Sequence, residues 1–488
     1  MSYTIKTLLS LSLLFVLTSC NNEDDNYTAY FGGEILSPRS PYIIFSKDDM
    51  VIDTIPLDKN NRFFIKYDSL APGLYSFRHE PEYQYIYFDK NDSLMISVNA
   101  DNFDQSVVFS GRGDKKNNFL MELYLINEED RNKSYRVYEE KYDDFISNID
   151  SSYAKREAFY NKNKEEINWS NDFDLYAKAR LQFSQYTKKE YYPYLYNYRT
   201  GKEINSDLPK DYYNYRKEID FNNEKLTTFS PFLRYFNAML TNMAVKRAGK
   251  SISTEERTLN ENIIKLTLVD SIFTNKRIKN NMLNNIAFSY LLEDQNIHNN
   301  QTFLEHYMKL STDDSNGNEI MKIAKAIEDL EEGKKLPPVA LVDTNNNAFD
   351  INHDINSKTV IYFWTTCAKA HLKMVNKKIA ELKKQYPEVS FIAINLDEDP
   401  EWKKLIANNN FGKALQLRAE NFQSIKDKWV INKLNRTIIL NADGTIKNGF
   451  TNLMDSEFAK LLETEHIKTE PSGTKHLDVE YIEIEDTK

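Results

Sequence analysis

The spacing of apolar residues changes twice along this chain, and those two changes limit what it can fold into more than any single residue does. Between residues 29 and 113 the apolar and aromatic side chains come in short runs: "FGGEI", "PYIIFS", "MVIDTIPL", "RFFIKY", "GLYSFRH", "YQYIYFD", "SLMISVN" and "SVVFSG". Asp, Asn, Gly and Pro bound these runs, with "DKNN" and "DKND" as turn chemistry. Short strands repeating every roughly 8–12 residues predict an antiparallel β-sandwich-like domain. Beyond Gly111 the repeat lengthens to that of a helix, and residues 114–332 read as an all-α middle region. Met282, Leu283, Ile286, Ala287, Tyr290 and Leu291 fall on one stripe of "NMLNNIAFSYLLED". "EYYPYLYNYRTG" (Glu190–Gly201) reads as a Tyr-rich break between helices.

The second change follows Pro337 and Pro338, where strands and helices begin to alternate. Thr359–Trp364 predicts a buried strand. Leu372, Ile379, Leu382 and Tyr386 predict the core face of a helix that Pro387 stops. "VSFIAINLD" (Val389–Asp397) is apolar nearly throughout, as a strand covered on both faces must be. "PEWKKLIANNN" predicts a helix, "NRTIILNADGTI" a hairpin turning at Ala442-Asp443-Gly444, and "SEFAKLLETE" a closing helix. Residues 333–465 are therefore an α/β domain, and 466–488 an acidic tail. With 488 residues a multidomain chain is expected.

Charge excludes some partners. The net charge is −10 and no basic face stands out, so nucleic acid is not an expected partner. The seven histidines show no zinc-type spacing and no Gly-rich phosphate loop is present, so neither metal nor cofactor is expected. "GRGD" (Gly111–Asp114) reads as a turn, and the carboxylates of "DEDPEW" (Asp397–Trp402) as charge at a helix start.

The N-terminus reads as a targeting segment. Lys6 precedes the apolar run Leu8–Leu17, which is too short to span a bilayer. "LTSC" (Leu17–Cys20) resembles a lipobox, the bacterial signal cleaved before a cysteine that is then lipidated. The resemblance implies a signal peptide at 1–19, acylation of Cys20, an acidic tether at 20–28, and the lipid bilayer as a partner. Each buried CH₂ contributes about 0.8 kcal/mol, so several acyl chains anchor stably. The acidic Glu23, Asp24 and Asp25 resemble the export tags of some Gram-negative lipoproteins, which implies the outer membrane, on its periplasmic face or at the cell surface.

"KLPPVALVDTNNNAFDI", "TVIYFWTT", "FIAINLDED" and "TIILNADGTI" together resemble the TlpA/ResA-like branch of the thioredoxin superfamily in its lipoprotein form. The resemblance implies a C-terminal thioredoxin-like fold behind a β domain and a helical middle. It also implies an active site of Trp, three residues, Cys, two residues, Cys. Counting from Trp364 places Ala368 and His371 at the cysteine positions; counting from Cys367 places Ala370 at the second. Either way the pair is missing. Asn435 falls where the family has a cis-proline, and its preceding bond is expected to be trans, because a non-proline cis bond costs about 3–4 kcal/mol.

The chain has two cysteines, Cys20 and Cys367. With Cys20 acylated, one thiol is left, and a mixed disulfide formed by it has no internal partner to resolve it. The expectation is a redox-inactive thioredoxin-like domain used for binding or scaffolding with an envelope protein or peptide. One alternative is a one-cysteine thiol enzyme, with Cys367 lowered in pKa at a helix start and His371 beside it. Another is a surface protein that binds glycans or peptides through its β or helical region.

Overall fold

The computed structural model describes residues 27–463 except Asp49, 250–253, 294–296, Cys367, 398–401, 409–413, Asn432 and 456–457. The chain divides into two compact units, one within Met1–Asn242 and one within Met243–His476. The helical stretch is shared between them: four helices belong mainly to the first unit and four to the second.

In the first unit all eight expected strands form: β1 (Ala29–Leu36), β2 (Tyr42–Lys47), β3 (Met50–Pro56), β4 (Arg62–Tyr67), β5 (Gly73–His79), β6 (Glu82–Phe88), β7 (Ser93–Asn99) and β8 (Val108–Arg112). They make two four-stranded sheets, β4-β1-β7-β8 and β3-β2-β5-β6. One pairing departs from the antiparallel expectation. β1 and β7 run parallel, from Tyr30↔Ser93 to Leu36↔Asn99. β4 pairs antiparallel along one edge of β1, the chain then crosses to the other sheet for β5 and β6, and β7 comes back along β1's other edge in the same direction as β1. Phe31, Phe45, Phe77 and Phe88, all fully buried, fill the core, with Phe31 and Phe45 ring centres 5.2 Å apart. Burying a Phe of this size contributes about 1.5–3 kcal/mol.

The helices α1 (Asp114–Lys133), α2 (Tyr142–Ile167), α3 (Asn171–Thr200) and α4 (Ser230–Ala248) follow. Asn117 of α1 ties the helix to β6 by exchanging two hydrogen bonds with the Tyr87 backbone, at 2.7 and 2.9 Å. The Tyr-rich stretch is not a break. It is the last part of α3, with Pro193 inside the helix. Burial overrides the helix-breaking residue here. Tyr192 is fully enclosed and stacks on Phe145 with ring centres 3.8 Å apart. Proline leaves the carbonyl four residues back without its helical partner. That carbonyl is Lys189's, and the Tyr212 hydroxyl donates to it at 2.8 Å. Nearby, the buried Glu190 carboxylate accepts from Arg216 Nε (2.7 Å), Tyr215 Oη (2.8 Å) and Asn242 Nδ2 (2.8 Å).

The second unit begins with α5 (Thr254–Ile272), α6 (Lys276–Glu293), α7 (Ile297–Leu310) and α8 (Asp314–Glu328). The expected α6 stripe, Met282 to Leu291, is buried as read. Then come β9 (Leu341–Asp343), β10 (Ala348–Phe349), β11 (Thr359–Trp364), α9 (Lys369–Gln385), β12 (Ser390–Asn395), α10 (Trp402–Asn408), β13 (Leu415–Ala419), α11 (Phe422–Trp429), β14 (Arg436–Leu440), β15 (Ile446–Asn452) and α12 (Phe458–Leu462). The sheet order is β10-β9-β13-β12-β11-β14-β15, with β11, β12 and β13 parallel and the rest antiparallel. β11 is an interior strand, between β12 and β14, and all six of its residues are buried. Sequence reading missed β13 and α11. The stretch after Pro337-Pro338 is stitched to the domain: the Pro337 carbonyl accepts from Trp429 Nε1 at 2.7 Å and the Pro338 carbonyl from Lys428 Nζ at 2.8 Å.

Candidate functional site

The end of β11 runs straight into α9, and the sequence dictates how. Val360, Tyr362 and Trp364 alternate onto one face of the sheet, where they meet Leu372, Val375, Ile379 and Leu382 of α9. The helix must start close behind Trp364 for those contacts to form. It starts at Lys369, with Ala368 at the N-cap position. Ala368 has no side chain that can cap, and none does. His371 lies three residues on, in the first turn. Its Nε2 is 3.2 Å from the Phe363 carbonyl. A carbonyl only accepts, so Nε2 carries the proton and a neutral ring has its lone pair on Nδ1. Cys367 lies outside the described residues, and so does the side chain of Ala370. Cys20 lies outside them as well.

The loop before the helix is clamped from β12. Asn395, fully buried at the end of that strand, donates from Nδ2 to Asp397 Oδ2 at 2.8 Å and accepts the Asp397 amide at 3.1 Å. The same Asp397 Oδ2 accepts the Thr366 amide at 2.7 Å. The Trp364 carbonyl takes the Leu396 amide at 3.0 Å. The sequence suggests helix-start charge for Asp397; the structure makes it a brace on Thr366 and Asn395 instead. Two residues downstream of a strand's last buried position, an Asp can reach back across the neighbouring strand end, and that was the available signal.

The loop before β14 is held by a different device. Asn435 sits in a turn, and its preceding peptide is trans; among the described residues the cis bond is Glu80–Pro81. Arg436, buried at the start of β14, donates from Nε and Nη2 to the Gly449 carbonyl (3.2 and 2.8 Å) and from Nη1 to the Val430 carbonyl. Its guanidinium carbon stands 3.8 Å from the Phe450 ring centre. Burial without a carboxylate partner holds its pKa down to about 9. The residues around Asn435 are thus pinned to β15. Sequence reading singled out Asn435 and passed over Arg436.

Among the described residues, no group of three or more His, Cys, Asp or Glu is arranged to hold a metal. No helix among them is long and apolar enough to cross a membrane.

A thioredoxin-like family model matches residues 356–446, from just before β11 to the start of β15. The C-terminal α/β domain is therefore thioredoxin-like. Among solved structures the chain is similar to a proposed thiol-disulfide oxidoreductase from Bacteroides vulgatus, at 17% identity over 28% of this chain and 96% of that one, with a TM-score of 0.25. It is similar to a thiol-disulfide oxidoreductase from Bacteroides fragilis at 20% identity, over 25% and 93%, with a TM-score of 0.22. It is similar to the C-terminal domain of a proposed thiol-disulfide oxidoreductase from Bacteroides thetaiotaomicron at 24% identity, over 27% and 91%, with a TM-score of 0.23. No curated protein matches the chain.

Proposed function

We propose that this chain is an exported protein of a Gram-negative cell envelope, anchored in the outer membrane by acylated Cys20, whose thioredoxin-like domain binds a partner protein or peptide and does not run dithiol exchange. One observation carries the reading. The helix that follows β11 opens on Ala368 and holds His371 in its first turn, so the two positions spaced for a cysteine pair carry a methyl and an imidazole. The count of two cysteines in the whole chain supports it, since lipidation of Cys20 leaves Cys367 without an internal partner. A thiolate that attacks a substrate disulfide then stays as a mixed disulfide until an outside thiol arrives.

The test is insulin reduction with excess glutathione, run beside alkylation of Cys367 across pH. A thiol titrating near 8.5 with no turnover supports the reading. Turnover with a thiol that titrates well below neutrality overturns it. Palmitate labelling and Cys20→Ala test the anchor, and a variant that stays with the membrane rules it out.

A second reading has one observation in its favour. His371 is fixed through Nε2, which turns a basic Nδ1 lone pair to other use. In that reading Cys367 is a one-cysteine nucleophile in thiol exchange or peroxide reduction, with His371 as its base. His371→Ala separates the two: it lowers the Cys367 alkylation rate at neutral pH only if the second holds.

A further inference from the structure

The first unit contains a buried charge whose surroundings lack a counter-ion. Arg180, in the middle of α3, is 3% exposed. Its guanidinium carbon stands 5.7 Å from the ring centre of Tyr85, 5.3 Å from Tyr124 and 5.4 Å from Phe229. Its Nε has no hydrogen-bond acceptor. Among the described residues no carboxylate forms an ion pair with it. Asp104, bonded to the hydroxyl of Tyr124 at 3.0 Å, is also taken by Gln84 Nε2 at 3.1 Å.

The other buried arginines among the described residues are handled differently. Arg156 donates to Asp130 and Arg436 takes two backbone carbonyls, while the partly buried Arg216 forks onto Glu190. Arg180 is given aromatic faces alone, which offset part of the cost of burying a cation but satisfy none of its N–H groups. A second cation, Arg234 of α4, lies close enough to add to the effect of burial, and Arg180's pKa is held down to about 10. Tyr83, Tyr85, Tyr124 and Arg234 around it are each partly exposed.

We propose that Arg180 anchors a binding site for a carboxylate ligand that carries a flat-faced ring, the class to which the uronic acids belong. The planar fork of a guanidinium matches a carboxylate in two parallel hydrogen bonds. The tyrosine walls supply faces along which a ring can lie. The site lies wholly within the first unit and is independent of the thiol chemistry proposed above.

Isothermal titration of the full chain with glucuronate, with glucose and inorganic phosphate as separate arms, tests this. The expected result is saturable binding of glucuronate and none of glucose. Arg180→Gln weakens it by roughly 10–100-fold, the scale of lost hydrogen bonds to a charged group. Arg180→Met guards against misfolding, because an apolar side chain of similar length is tolerated where a lone charge was buried; with its circular dichroism unchanged, it too must lose glucuronate binding. Silence with glucuronate, equal binding of glucose, preference for phosphate, or undiminished affinity in the folded Met variant would each overturn the proposal.

Discussion

The Tyr212 hydroxyl stands 2.8 Å from the Lys189 carbonyl, the one carbonyl that Pro193 cannot serve. A side chain from the segment after α3 thus completes the backbone of α3. Tyr212→Phe leaves that carbonyl without a donor and should cost about 1–3 kcal/mol. In a Pro193→Ala background the helical N–H returns, so the same change should cost less. Urea unfolding of the four proteins in this cycle checks it; additive costs would mean the hydroxyl is not serving the carbonyl.

Asp397 should matter to the order of the loop before α9. Asp397→Ala removes the acceptor of the Thr366 amide and the partner of buried Asn395. The expected loss is about 1.5–3 kcal/mol, on the scale of hydrogen bonds to a charged group. Hydrogen exchange at Thr366 should quicken while the centre of β11 stays protected. Unchanged protection at Thr366 would remove the bracing role.

Asp174 predicts an acid transition. Burial pushes its carboxyl up, but donors from Lys164, Tyr160, Trp169 and Lys178 outweigh that and hold the pKa down to about 2. A carboxylate whose folded pKa lies below its unfolded value of about 3.9 contributes stability above pH 4, and this is lost as pH falls toward 2. Asp174→Asn should flatten the stability profile between those values. Parallel acid titrations of the two proteins measure it.

His79 predicts a milder effect nearer neutrality. Burial lowers its pKa, and its Nε2 accepts the Arg39 amide at 2.8 Å, which requires the neutral ring. The folded pKa is therefore below the unfolded value of about 6.5. Stability is complete above that pH and declines as pH falls through it. His79→Gln should remove the decline; a slope that persists in the variant would place its source elsewhere.

Gly113 should resist substitution. Its φ is +98°, and a Cβ there would come within 2.6 Å of the Asp92 carboxylate, which pairs with buried Lys116 at 2.6 Å. Gly113→Ala should cost about 1–3 kcal/mol through backbone strain alone, read as a lower denaturation midpoint.

Strands with one buried face were legible because their alternation is local. β1 to β8 were placed within a residue or two, and the α6 stripe and the buried β11 were equally plain. What failed depended on distant residues. Pro193 reads locally as a stop; Tyr192 packed on Phe145, and Tyr212 lying beyond the helix, make it a continuation. The parallel direction of β1 and β7 is not written in either strand. β13, "LQLRA", is short and half polar, and only its neighbours β12 and β9 make it a strand. At the site, Ala368, His371 and Asn435 were found by counting. Arg436 was not, because its hydrogen-bond partners are backbone carbonyls, which leave no mark in a sequence; Asp397 was not either, although its place two residues beyond the buried Asn395 was a signal.

The parallel pairing of β1 with β7 also sets an order of events. Strand residues 29–36 cannot find the neighbour that covers their inner edge until residues 93–99 have emerged, so the first sheet closes last around its own beginning. Loop closure over that separation is slow compared with hairpin formation. A chain emerging amino end first would therefore hold its leading strand with one edge unpaired from the pairing of β4 until β7 follows, and that interval is the one in which the strand is most open to unwanted partners.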